Sequence, residues 1–338
     1  MANRVTLADV AALAGVHPGT VSRALSAKTE NQVNAATVRK VRRAAKQLGY
    51  TPNAMARGLR TRLSMTVGVI VPDLTNPIFP PMVRGIDSYL LPRGYSALVV
   101  NTDGSDETER TVFESLLARQ VDGFIVATGH THHRLMAEAQ ERGVLVVMVN
   151  RDAHGVRYPA VTGDDSLGIK EIFAHLVALG HSRIVHLAGP AGFSTSEIRE
   201  EAFRAACEQF SVTGRVLPTS AYSIDAGQAA MDILLDGPAE GFTAVVAGND
   251  LLALGAYHSL RQHGMVCPDD MSVVGFNDMP FAGDFFPPMT TVRVSHFDMG
   301  AEAARLLLAQ IEAPESTALA VRLPVSLVVR GSTAPAKR

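Results

Sequence analysis

The chain has 338 residues, 47% hydrophobic and 19% charged, with no tryptophan and only two cysteines, Cys207 and Cys267. That length allows two or three domains, and so few thiols suit a reducing compartment rather than a disulfide framework. The N-terminal MANRVTLADV lacks an apolar core of signal-peptide length, and the aliphatic run VLVVMV is too short to span a bilayer, so a cytoplasmic protein is expected. The net charge of −2 conceals an asymmetry: residues 1–62 carry 11 Lys/Arg against 2 Asp/Glu, leaving an acidic remainder. A basic arm on an acidic body points to a polyanion such as nucleic acid.

Residues 4–50 predict three short helices. Thr6 with Asp9 three residues later is a capping-box start, and Leu7, Val10, Ala11 and Ala14 recur at helical spacing. Gly15 breaks that helix, and a second runs from about Pro18 to Ser26. Then NAATVRKVRRAAKQLGY places Val38, Val41, Ala45 and Leu48 on one stripe with Arg39, Lys40, Arg42, Arg43 and Lys46 mostly off it, and Gly49 stops it. Asn53 can cap a further helix of about two turns ending near Arg60. It has no long apolar stripe, so alone it is marginal and orders only when supported.

From Met65 onward, short aliphatic runs alternate with helical segments: TVGVIVPD, YSALVVNTD, VDGFIVAT and VLVVMVNRD, then RIVHLAGP, RVLPTS, FTAVVAGND and MSVVGFND. Continuous apolar strands spaced by helices predict parallel sheets covered on both faces, here two doubly wound lobes. Ligands of such sheets bind beyond the carboxyl ends of the strands. A helix is expected near 296–312, and VRLPVSLVVR is placed to cross back between the lobes.

The spacing of Ala11, Gly15 and Val21 fits a helix-turn-helix: a small residue for close packing, a glycine in the turn and an apolar anchor in the second helix. Together with LGYTPNAMARGL, VGVIVPDLTNPIF, LGHSRIVHLAGP, VAGNDLLALGA and SVVGFNDMP, this segment resembles the LacI/GalR family of bacterial transcription regulators, in order and spacing from Val5 to about Gly331. The resemblance implies an all-α helix-turn-helix headpiece with a hinge helix, then an α/β two-lobed core like periplasmic binding proteins. It divides the chain into a headpiece (1–51), a hinge and linker (52–63), a core N-subdomain (64–160 with about 291–320), a core C-subdomain (161–290 with about 321–332) and a tail (333–338). It further implies a homodimer that binds a pseudo-palindromic double-stranded operator and senses a small molecule, usually a sugar or purine; here a sugar or sugar acid is expected. The ending VVRGSTAPAKR has no leucine heptads, which favours a dimer over a tetramer.

By the same resemblance, His17 stands at a cap position and is followed by two base-reading positions, occupied here by Pro18 and Gly19. Neither side chain can hydrogen-bond a base. Pro18 either only rigidifies the helix start, or the pair lets the helix lie close to the groove with Pro18 against a thymine methyl. Hydrogen-bonded readout then falls mainly to Arg23, whose fork suits guanine, with His17 and Thr20 assisting. Thr6, Ser22, Asn34, Thr37, Tyr50 and Asn53 match positions that contact phosphates. Leu59 matches a side chain wedged between base pairs from the minor groove, with Arg57 in that groove; packing between linker and core is the alternative for Leu59.

In the core, Phe79 and Tyr222 match apolar walls of the effector site, and Asn150, Arg199 and Asn249 match groups that hydrogen-bond the ligand. Asp73 and Asn101 end strands at the same cleft, with helix capping as their alternative role. Two positions depart: Asn277 stands where many sugar-binding relatives have aspartate, and His296 where others have an apolar or aromatic residue. Losing the carboxylate weakens the usual grip on sugar hydroxyls and removes a charge that would repel a sugar acid or a phosphorylated ligand. The HTHH run at 130–133 reads as an exposed loop rather than a metal site. No G-x-S-x-G, G-x-x-x-x-G-K-[ST], H-E-x-x-H or paired-Cys motif occurs, so no catalytic residue, metal or cofactor is expected. A transporter's solute-binding protein, which shares such a core, is contradicted by residues 1–62.

Overall fold

A computed structural model describes residues 5–26, 29–50, 63–238, 240–313 and 320–337. The chain forms two compact units, Met1–Ser64 and Met65–Arg338.

In the first unit, α1 (Leu7–Ala14) opens with the expected capping box: Asp9 N donates to Thr6 Oγ1 at 3.3 Å, and Thr6 N donates to Asp9 Oδ2 at 2.7 Å. Donation to Asp9 Oδ2 by the Thr6 hydroxyl, also at 2.7 Å, and by the Thr6 N–H holds the Asp9 carboxyl below its ordinary range. Gly15 closes α1 at φ +59°, a left-handed conformation that costs glycine little. The second helix, α2 (Pro18–Ala24), ends two residues earlier than expected; α3 (Ala35–Leu48) is stopped by Gly49 at φ +64°. One small core joins them, with Val10, Ala11, Ala14, Val21, Ala24, Val38, Val41, Ala44 and Ala45 buried.

The second unit contains two six-stranded sheets. The N-lobe sheet is built from β1 (Thr66–Val71), β2 (Ser96–Asn101), β3 (Gly123–Val126), β4 (Val146–Val149), β5 (Ala160–Gly163) and β11 (Ala320–Leu323), in spatial order β11-β5-β4-β3-β1-β2. The C-lobe sheet has β6 (Arg183–Ala188), β7 (Thr213–Pro218), β8 (Ala244–Ala247), β9 (Ser272–Asn277), β10 (Thr290–Val294) and β12 (Val325–Val328), in order β12-β10-β9-β8-β6-β7. The sheets are parallel except that edge strand β12 runs antiparallel to β10. The first four strands of each lobe, taken from the apolar runs above, alternate with helices as expected, among them α5 (Asp106–Ala118), α6 (Arg134–Glu141) and α9 (Ile224–Leu235).

The expected lobe boundaries need correction. Strand β10 pairs with β9 and therefore belongs to the C-lobe, although the expectation places about 291–320 in the N-lobe. Strand β5 continues to Gly163 in the N-lobe sheet, and β11, at 320–323, pairs with β5 there rather than in the C-lobe. The chain thus changes lobe after Gly163, after Val294 and after Leu323, the last within VRLPVSLVVR. The cause is side-by-side strand pairing, which apolar runs alone do not encode.

Helix α4 (Phe79–Leu90) packs tightly on α11 (His296–Glu312) in the N-lobe. Two glycines permit this approach: a Cβ on Gly85 would lie 1.9 Å from the Phe297 carbonyl oxygen, and one on Gly300 2.0 Å from that of Met82.

Candidate functional site

In the headpiece, α2 buries Val21 and Ala24 and leaves His17, Pro18 and Arg23 exposed, with Gly19, Thr20 and Ser22 partly so. One face anchors while the other is presented to solvent. His17 is the N-cap: its Nδ1 accepts from Gly19 N at 3.1 Å. A Cβ on Gly19 would lie 3.2 Å from that same Nδ1. The glycine leaves room for a histidine cap, a structural role that motif reading missed. Asn34 caps α3, its Oδ1 accepting from Ala36 N at 2.8 Å. Tyr50 N closes that helix on Ala45 O at 2.9 Å, and Thr37 and Tyr50 are both half-buried. Arg42 is ion-paired with Glu30, whereas Arg39, Lys40, Arg43 and Lys46 project as exposed cations. The expected hinge residues Asn53, Arg57 and Leu59 lie outside the described residues.

The core candidates gather at the carboxyl ends of the strands. Asn150 follows β4 and Asn277 ends β9; both are buried, with φ of +65° and +116°. Such conformations are sparsely populated for residues other than glycine and cluster at functional sites. Asn249 caps α10 (Asp250–Gln262), its Oδ1 accepting from Leu252 N at 2.8 Å, which leaves its amide nitrogen to donate.

Arg199, on α8 (Ser194–Phe210), is almost fully enclosed. Its Nη1 donates to Gly248 O at 2.6 Å, its Nη2 donates to Asp165 Oδ1 at 3.1 Å, and its guanidinium lies 3.9 Å over the Phe276 ring. Asp165 opens α7 (Asp165–Ala178), immediately after the first lobe change. Burial pushes its carboxyl above the ordinary range despite that partner. His296 opens α11 with its Nε2 buried and without a partner among the described residues; burial and the Arg199 charge push its ring down to about 4. Tyr222 shares a hydroxyl contact of 3.3 Å with Thr195.

Other candidates sit differently. Asp73 Oδ1 accepts from Thr75 N at 2.8 Å, and Asn101 Oδ1 accepts from Leu74 N at 2.8 Å, so both stitch the loop after β1. Phe79 is 1% exposed, inside the apolar core. The aromatic surface that meets the buried cations comes instead from Phe193, Tyr222 and Phe276.

Two features were missed. Arg151, directly after Asn150 in VNRD, is buried, with its guanidinium 3.9 Å over the Phe193 ring and 5.9 Å from the Tyr222 ring. A second arginine beside a ligand-matching asparagine was the available signal. The HTHH run, expected to be an exposed loop, is largely covered: Thr131 and His133 are buried, His130 is half-buried and only His132 is exposed. The covering comes from the C-lobe. Thr131 N donates to Gly192 O at 2.8 Å, Thr131 Oγ1 donates to Glu197 Oε1 at 3.2 Å, and the His130 ring stacks on Phe193 at 4.5 Å. The run also borders a cavity of about 210 Å³ with Asp106, Glu109 and Arg110, but among the described residues no three His, Cys, Asp or Glu side chains gather in metal-binding geometry. No helix among those residues is long and apolar enough to cross a membrane.

A helix-turn-helix with an exposed recognition face and a two-lobed core with a polar, guanidinium-bearing cleft define a DNA-binding regulator of the binding-protein-like class. The profile described as bacterial regulatory proteins, lacI family, matches residues 6–53, and that of the periplasmic binding protein-like domain matches residues 173–333. The ribose operon repressor of Bacillus subtilis (strain 168) is 33% identical over 330 residues, covering 97% of this chain and 98% of that protein. The structure of the lac repressor dimer bound to operator and the anti-inducer ONPF superposes with a TM-score of 0.86 at 28% identity, covering 98% of this chain and 100% of that one. A LacI family transcriptional regulator from Enterococcus faecium with bound ribose gives a TM-score of 0.72 at 32% identity, over 80% of this chain and 100% of that one. The chain belongs to the lacI family of bacterial regulatory proteins and is a DNA-binding transcriptional regulator.

Proposed function

We propose that the protein is a cytoplasmic, non-enzymatic repressor that binds a pseudo-palindromic operator as a homodimer and is controlled by a sugar or sugar acid held between the two core lobes. The observation that carries this reading is the enclosed Arg199. It is locked to Asp165 and the Gly248 carbonyl beside Asn249 and Asn277, a polar constellation at strand ends where doubly wound sheets bind ligands. Ligand and operator bias one shared equilibrium between core arrangements, so each alters the affinity of the other. In this scheme α2 reads the major groove through Arg23, with His17 and Thr20 beside it. Thr6, Ser22, Asn34, Thr37, Tyr50 and Asn53 set register on phosphates, and Arg57 and Leu59 engage the minor groove.

The test selects duplexes from a random pool with the full-length protein and then titrates sugars and sugar acids against the selected duplex. A selected site with two-fold symmetry and half-sites about one helical turn apart is expected, with at least one ligand changing its affinity. Salt-sensitive binding without sequence preference would sink the operator assignment.

A further inference from the structure

We propose that the ligand held in the core cleft is an anion, a small polyhydroxylated acid whose carboxylate or phosphate is gripped by Arg151. This rests on the reading that the cleft takes the effector, and narrows it to one chemical class. Arg151 is a buried cation with no ion pair in contact among the described residues; the Glu109 carboxylate acts on it only through space. The residue is 8% exposed, and its Nε has no hydrogen-bond partner among those residues. Burial lowers its pKa only to about 10, so it keeps its charge at neutral pH. An enclosed charge with no partner is costly, and a planar fork is suited to bidentate capture of a carboxylate or phosphate.

The neighbouring carboxylates are already engaged. Asp165 is paired with Arg199, and Asp250 accepts from Met279 N at 2.7 Å and from the Thr291 hydroxyl. Asp278 is paired with Arg293 and Arg330, and Glu109 accepts from Thr128 and faces His133. Asn150 and Asn277 offer neutral amides at strand ends. The partners available to a ligand are therefore one unpaired guanidinium and several amides, which match an anionic head followed by hydroxyls. The guanidinium is also oriented in advance, because Phe193, on the opposite lobe, supports it by a cation–π contact. A ligand held there touches residues from both lobes.

The experiment measures thermal stability of the full-length protein in inorganic phosphate and in sodium chloride at equal ionic strength, then in D-gluconate and D-glucose 6-phosphate against neutral D-glucose. Phosphate is expected to raise the midpoint by several degrees beyond chloride, and each acid is expected to bind at least tenfold more tightly than glucose. Gluconate ahead of the phosphosugar would assign a carboxylate and the reverse order a phosphate; either order supports the proposal. Arg151→Gln should abolish the anion shift and Arg151→Lys retain part of it. Should Arg151→Gln fail to fold, Asn150→Asp is the second variant: a carboxylate beside Arg151 should weaken anion binding at least tenfold. No excess over chloride, an excess that survives Arg151→Gln, unchanged anion affinity in Asn150→Asp, or glucose binding as well as its acids would each overturn the proposal. Operator affinity measured alongside separates the two readings. A bound anion that leaves it unchanged removes the effector role but not the anion site. Release by neutral glucose alone keeps the effector role and overturns the anion.

Discussion

Arg199 and Asp165 hold each other inside the core, Nη2 to Oδ1 at 3.1 Å, with side chains only 5% and 7% exposed. Removing one partner of such a pair strands the other charge in a medium that cannot solvate it, at about 3–5 kcal/mol, whereas removing both is much cheaper. Arg199→Ala therefore tests stability and ligand response at once. Arg199→Ala combined with Asp165→Asn should regain most of the lost stability in chemical denaturation. That double variant should still bind operator but no longer respond to ligand. A coupling energy below about 1 kcal/mol would show that the pair does not act as a unit.

The buried histidines set a pH dependence. His186 is fully buried with Nδ1 donating to Val246 O at 2.8 Å, and burial pushes its pKa down to about 4. In the unfolded chain the same ring titrates near 6.5, so below that value the unfolded state binds a proton that the folded state refuses. Its stabilising contribution is present above pH 6.5 and is lost as the pH falls toward 4, by about 3 kcal/mol. Asp250, whose carboxyl is raised to about 7 by burial, acts with opposite sign over the same interval. The histidine effect is therefore read as a difference: His186→Phe should be less destabilised than the parent protein on going from pH 7 to pH 5. Parallel stability curves would count against it.

The cap of α2 gives a third test. His17→Ala removes the acceptor for Gly19 N and should cost headpiece stability about 1 kcal/mol, while His17→Ser should recover most of it. Gly19→Ala gains helix propensity but places a methyl 3.2 Å from His17 Nδ1. It should therefore fall short of the roughly 1 kcal/mol gain expected in an unobstructed helix. A full gain in thermal denaturation would mean that the imidazole moves aside freely.

Readout and charge separate in a fourth. Arg23→Ala should weaken operator binding by about 1–3 kcal/mol and relax preference at one base pair per half-site. Arg42 is already paired with Glu30, so Arg39, exposed on α3, is the cleaner probe of phosphate attraction. Arg39→Ala should weaken all duplexes alike and flatten the salt slope by about one unit per contact. Equal losses on operator and random DNA for Arg23→Ala would remove its readout role.

Local interactions were legible in the chain alone. The Thr6–Asp9 box, the Gly15 and Gly49 stops, the stripe of α3 and the limits of α11 depend on neighbours within a few residues, and spacing reports such neighbours directly. The two-lobed plan was legible as well, because strands buried on both faces must be continuously apolar. Tertiary structure decided what depends on residues far apart in sequence. Pairing across the sheets placed β10 in the C-lobe and β11 in the N-lobe. Docking of Gly192, Phe193 and Glu197 covered the HTHH run, which its polarity alone marked as exposed. The loop after β1 claimed Asp73 and Asn101. Above all, whether a cation is neutralised depends on which side chains reach it: folding gave Arg199 a carboxylate 34 positions away in the chain and left Arg151, in the same core, with aromatic rings and no ion pair among the described residues.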